Sequence, residues 1–331
     1  MIKSFAAKSG CCLLAIVVIL SCCSLTTVTG CGRQQPEVQD IKADTGRNSD
    51  FMFEAGAQTK NSFEADTGRN VVFSPTHPSF ITAREFHPYL SFPNEKKYEI
   101  KGRIVSAVVP HHLLAGRLIA GVLRELAVQE PALLVIIGPN HTNKGARIIT
   151  GYYGWQTPYG VVETDHEAVS RLLEAGVAVK NEEILAEEHS IGVIVPFVRF
   201  FLPRAKIVPL ILHYNVSLEE VKELLQVLYP FLNHQAVLLS SVDFSHYLTG
   251  REAQAKDQET LQHMQNFDYQ ALKRLGNDHL DSPASLCAAF LWAQNRGIRD
   301  FMVLENTNSA FMLGNDFIET TSYFTLVFTE D

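Results

Sequence analysis

Leu133-Leu134-Val135-Ile136-Ile137-Gly138-Pro139-Asn140-His141 is the stretch on which the fold turns. Its first five residues are apolar with no polar alternation, so a strand made from them needs cover on both faces. Strands of that kind belong to layered, largely parallel sheets. Gly138 and Pro139 then stop the run, and a histidine follows at once. Moving outward, Ile104 to Val109, Ile207 to Leu212 and Ala236 to Leu239 have the same character, while Phe301 to Glu305 and Ser322 to Phe328 read as extended. Helical periodicity fills the intervals at Leu113 to Val128, Ser217 to Leu228, Arg251 to Phe267 and Pro283 to Gln294, the last with proline at a first turn. The expected architecture over 101–331 is α/β, with a layered mixed or parallel sheet flanked by helices.

Composition sets outer bounds. The chain of 331 residues is 46% hydrophobic and 19% charged, which is globular usage. A formal net charge of -8, without any cluster of Lys and Arg, argues against a nucleic-acid partner. Residues 1–30 read as an export signal of lipoprotein type. Lys3 and Lys8 precede an apolar stretch from Cys11 to Leu25 that is short for a membrane span, and Val28-Thr29-Gly30-Cys31 fits a cleavage site with lipid on Cys31. Cys22 is an alternative cut, with bulky Leu20 less suited to it. The expected location is therefore outside the cytoplasmic membrane, tethered through lipid. After cleavage only Cys31 and Cys287 remain, so no internal disulfide is expected. Residues 31–100 read as a tether and irregular lead-in, polar and carrying Ala43-Asp44-Thr45-Gly46-Arg47-Asn48 again at Ala65 to Asn70.

The polar residues sit where a layered α/β sheet places its ligands, beyond the carboxyl ends of strands. Pro110-His111-His112, Asn140-His141 and Ser240-Ser241-Val242-Asp243-Phe244-Ser245-His246 each follow an apolar run. Imidazole is a common ligand for zinc, copper and iron, and three histidines at equivalent strand ends point to one metal-capable crevice. His77, His87, His213, His234 and His263 lack that context. Glu187-Glu188-His189-Ser190 opens another apolar helix-like stretch, where an acid and a histidine serve as base, ligand or cap. Asp278-His279-Leu280-Asp281-Ser282 precedes Pro283, with Asp281 or Ser282 as cap and His279 as a candidate ligand. The nucleophile elbow, the phosphate-binding loop and the dinucleotide fingerprint are all missing from the sequence.

Taken in order, Val109-Pro110-His111, Gly138-Pro139-Asn140-His141-Thr142, Thr157-Pro158-Tyr159-Gly160, Glu188-His189-Ser190-Ile191 and Ser241-Val242-Asp243-Phe244-Ser245-His246-Tyr247 resemble the MEMO family, called in bacteria AmmeMemoRadiSam system protein B. The resemblance implies a fold similar to LigB-type class III extradiol non-haem iron dioxygenases. It implies His111 and His141 as metal ligands, His279 in the place of a cysteine that often stands four residues before a proline, and His189, His246 and Asp243 as catalytic neighbours. Asn140, Glu188 and Asp281 complete the expected pocket. A histidine third ligand favours Fe(II), with Zn or Cu as alternatives. AMMECR1-like and radical SAM proteins are partners by resemblance alone, beside a small-molecule or peptide ligand. The functions in view are a dioxygenase-like redox enzyme, a non-catalytic metal- or ligand-binding module, and a metal-dependent hydrolase. Two departures stand out: His112-Leu113 replaces a usual Ala-Gly after Pro-His, and Gly192 replaces an acid that often follows Glu-His-Ser-Ile.

Overall fold

The computed structural model describes residues 75–90 and 98–331, all within one compact unit, Arg69–Asp331. The expected signal, the lipid-bearing Cys31 and the hexapeptide repeat lie outside the described residues. Among the described residues no helix is long and apolar enough to cross a membrane.

In chain order the elements are β1 (Thr76–His77), α1 (Ala83–Phe86), β2 (Arg103–Val109), α2 (Gly116–Ala127), β3 (Leu133–Pro139), β4 (Ile148–Thr150), β5 (Gly154–Thr157), β6 (Gly160–Val162), α3 (His166–Glu174) and β7 (Val179–Lys180). They continue with α4 (Glu182–Glu187), α5 (His189–Gly192), α6 (Val195–Phe201), β8 (Lys206–Leu212), α7 (Leu218–Leu228), β9 (Ala236–Ser241), β10 (His246–Leu248), α8 (Gly250–Gln265), α9 (Tyr269–Leu272), α10 (Pro283–Asn295), β11 (Met302–Asn308), α11 (Ser309–Leu313) and β12 (Thr320–Glu330).

Nine strands form the main sheet in the order β10-β12-β2-β9-β3-β8-β4-β7, with β11 also on β12. The central β2, β9, β3 and β8 run parallel, while β12 and β4 run antiparallel beside them. The fold is thus the mixed α/β layer expected. Each central strand buries both faces. Val135, Ile137, Val208, Leu210 and Leu238 face the core under α3, α7 and α10, whereas Leu134, Ile136, Ile207, Val237 and Leu239 face the core under α2 and α6. That is why these strands read as unbroken apolar runs.

Because β2, β3 and β9 are parallel neighbours, their carboxyl ends open on one edge of the sheet, and the residues after them, His111, His141 and Asp243, are brought together there. The packed chain begins well before residue 101. Phe86 is fully buried and Ile81 nearly so, both in the core under α2 and α6. β1 pairs with β5 and β6 in a separate three-stranded sheet. The apolar stretch Ile191 to Phe201 is two helices rather than one, since α5 ends at Gly192 and Pro196 sits in the first turn of α6.

Candidate metal centre

Glu188 organises one side of the site. Its side chain caps α5 by accepting from the Ser190 N–H at 2.9 Å, and it also accepts from the His141 N–H at 2.9 Å and from His141 Nδ1 at 2.7 Å. One carboxylate therefore ties the turn after β3 to the start of α5. The approach is close because position 138 is glycine: a Cβ there would stand 2.6 and 2.8 Å from Ser190 Oγ and Cβ. Ser190 Oγ donates to the Pro139 carbonyl at 2.9 Å, closing the same seam.

His111 is held from the other side. Its backbone N–H donates to Asp243 Oδ1 at 3.0 Å, and its Nδ1 lies 2.9 Å from Ser241 Oγ. Ser241 spends its only proton on the Ser190 carbonyl at 2.7 Å. The Ser241 oxygen must therefore accept from His111, which puts the proton on Nδ1 and leaves Nε2 bare in the neutral ring. The same logic applies to His141, whose Nδ1 faces a carboxylate. Both tautomers are set by hydrogen bonds behind the ring, the arrangement that prepares histidine for a metal.

Nitrogen atoms of His111, His141 and His189 lie within 4.8 Å of one another. The His141 and His189 rings stack at 4.0 Å and 22°, while the His111 ring stands nearly perpendicular to both, 5.0 and 5.3 Å away. His111 is buried, but the side chains of His141 and His189 are 31% and 47% exposed, so the group opens outward. It opens onto a cleft of about 480 Å³ whose lining includes Asn140, His141, Asn143, Tyr214, Asn277 and Asp281.

The charges around the rings are unequal. Burial pulls the His141 pKa down, but contacts with Asp281 and Glu188 outweigh it and lift the ring to about 10. Burial likewise opposes His111, and Asp243 and Asp281 raise it on balance. His189 is pushed the other way, to about 4, by burial and by the two neighbouring imidazoles. Asp281 is held well below the usual carboxylate range, with burial overcome by His111 and His141. Asp243, Asp281 and Glu188 thus face the two rings and favour positive charge between them.

The remaining expected site residues are placed as follows. His279 does not join the group; its Nε2 lies 2.9 Å from Glu259 and its Nδ1 3.0 Å from Asp278. His246 is also outside it. Its N–H donates to the Asn277 carbonyl at 2.8 Å and its buried Nδ1 has no hydrogen-bond partner. Asn140 shapes the turn after β3, donating to the Lys144 carbonyl at 2.7 Å and accepting from Thr142. Sequence reasoning did not single out Ser241 or Ser190 as orienting groups, although both lie inside quoted motifs; nothing local marks a serine as a relay until two strands are aligned. His77, set aside from the sequence, is buried against Trp155 at 4.3 Å between ring centres, and its Nε2 lies 3.2 Å from Glu182 Oε2. Nearby, Phe80 packs over α5 where a side chain at Gly192 would run into its ring. The lead-in is therefore seated on α4 and α5, the helices on either side of Glu188.

The sequence around this site is similar to that of known proteins. A family model described as Memo-like protein matches residues 83–293, more than half of the chain. The chain is 28% identical to a MEMO1 family protein of Aquifex aeolicus over 243 residues, covering 71% of this chain and 88% of the relative. It is 29% identical to one of Caldivirga maquilingensis over 241 residues (68% and 83%). It is 32% identical to one of Saccharolobus solfataricus over 190 residues (54% and 66%).

Proposed function

Because the chain belongs to the Memo-like protein family, we propose that its strand-end pocket is a divalent-metal site, for Fe(II) ahead of Zn or Cu, serving a non-haem, dioxygenase-like oxidoreductase. The observation that carries the metal reading is the gathering of three imidazoles within 4.8 Å, two of them with Nδ1 committed behind the ring and Nε2 left for an ion. A bound redox-active ion would supply Lewis acidity and one-electron chemistry to a substrate in the cleft. The protein's own part is to fix the rings, through Ser241 and Glu188, and to present His141 to the cleft with His189 stacked against it. His189, beside both rings, is the residue placed to exchange a proton with a bound hydroxyl.

The test is metal analysis of the purified protein followed by dioxygen uptake with a panel of catechols. Bound or bindable iron that is lost in the double variant His111→Ala, His141→Ala, together with uptake, supports the enzyme. Iron binding without uptake leaves a metal-binding module. Absence of binding of iron, zinc or copper removes the metal reading altogether.

For location, we propose an exported lipoprotein processed at Cys31, supported by the signal-like residues 1–30. Cys31→Ser should then move the protein from the membrane fraction to the soluble one.

A further inference from the structure

The family resemblance points to residue 279 for a third ligand, yet the His279 ring turns toward α8, where Glu259 holds its Nε2 at 2.9 Å and Asp278 stands 3.0 Å from its Nδ1. Two residues on, Asp281 occupies the position that His279 leaves open. Its Oδ2 lies 3.1 Å from His111 Nε2 and 3.8 Å from His141 Nε2, the two nitrogens that carry no proton when the rings are neutral. Its side chain is 10% exposed, and its Oδ1 is buried with no hydrogen-bond partner. An isolated buried carboxylate oxygen is costly unless a cation or a donor satisfies it. The backbone holds the residue in place, since the Asp281 N–H donates to the Asp243 carbonyl at 3.1 Å and the Asp243 N–H reaches Asp281 Oδ2 at 3.4 Å. Leu280 bridges to Phe244 beside it.

We propose that Asp281 is the third protein ligand of a two-histidine, one-carboxylate site with His111 and His141, which makes the pocket selective for a hard divalent ion of the Fe(II), Mn(II) or Zn(II) class over Cu(I). The inference rests on the metal reading above and goes further, to which ion the chain selects. A carboxylate oxygen suits harder ions, whereas a thiolate at this place would suit Cu(I), and two histidines with one carboxylate leave coordination positions open for substrate. His279 is then a partner of α8 through Glu259, and the cysteine of the resemblance is replaced two residues further on.

The test is competition of the full-length protein against chromophoric chelators for Fe(II) under anaerobic conditions, Zn(II) and Cu(I), with unfolding midpoints to confirm that each variant folds. Asp281→Asn should weaken Fe(II) and Zn(II) by tenfold or more, and His279→Ala should leave both within twofold. Asp281→Cys should raise Cu(I) affinity and give the Co(II)-loaded protein a sulfur-to-metal charge-transfer band, the direct sign that position 281 reaches the ion. If Asp281→Asn binds like the unmodified chain, or Asp281→Cys gives no such band while His111→Ala abolishes binding, the assignment of Asp281 is overturned and the metal reading survives. Failure of the unmodified chain to bind any of the three ions overturns both.

Discussion

Ser241 accepts a hydrogen bond from His111 while donating its own proton to the Ser190 carbonyl, so one hydroxyl on β9 fixes the tautomer of a histidine after β2 and anchors α5. Ser241→Ala should therefore do two things. It should weaken metal binding by about tenfold, because outer partners of ligating histidines commonly matter by that much. It should also cost about 1 to 3 kcal/mol of stability by stranding a buried acceptor. Zinc titration and denaturant unfolding of the same variant measure the two effects separately.

Gly138→Ala tests the seam between β3 and α5. The added methyl meets Ser190 at 2.6 and 2.8 Å, and neither β3 nor α5 has room to retreat inside a filled core. A loss of about 1 to 3 kcal/mol is expected from overpacking, read from the urea midpoint. Unchanged stability would show that α5 shifts freely, and with it Glu188.

Asp257 on α8 is buried and accepts from Ser322 at 2.6 Å, Asn306 at 2.7 Å and Ser245 at 3.0 Å. Burial raises its pKa, with the three donors pulling the other way. Asp257→Ala takes the shared acceptor from all three donors, of which Asn306 and Ser245 keep only longer bonds to the Tyr323 and Ala253 carbonyls, and should cost about 2 to 4 kcal/mol, while Asp257→Asn, which keeps an acceptor, should cost less. Thermal unfolding of the pair ranks them; equal losses would mean that packing, not hydrogen bonding, holds α8 to β12.

A pH effect is expected away from the site. Arg147 donates to Glu220 at 2.6 Å, and this bond, with the Ser217 cap and against some burial, lowers Glu220 to about 2. A depressed carboxylate stabilises the fold above its unfolded pKa of about 4.3 and loses that contribution as pH falls through the folded value. Because the pair is partly exposed, the contribution is under about 1 kcal/mol. Arg147→Ala should lower stability near pH 7 and converge with the unmodified protein near pH 2. A gap that persists at acid pH would mean that Arg147 acts through packing instead.

The sheet was legible because its central strands are buried on both faces and are mainly apolar, their polar residues confined to strand ends and to Ser106, so no alternating period competes. The runs at residues 104, 133, 207 and 236 all became parallel neighbours. The short strands β4 to β7 and helices α3, α4 and α9 were not read, since segments of two to nine residues bury too few side chains to show a period. In the site, His111 and His141 were legible from their place after strands. His189 was readable as a base, ligand or cap at a helix start; that it stacks on His141 was not, because this depends on a glycine at 138 that admits α5. Nor was the turn of His279 toward α8, where Glu259 waits 20 residues away in sequence.

Gly192 and Phe80 cannot be varied independently. Any side chain at 192, such as the acid that the family resemblance leads one to expect there, would collide with the aromatic ring supplied by the lead-in. The matched family region begins at residue 83, so half of this pairing lies upstream of it. Covariation between the two positions is therefore the signature to look for among close homologues. A version trimmed to the family boundary would expose a bare groove on the helix next to Glu188, and would not be a neutral shortening of the protein.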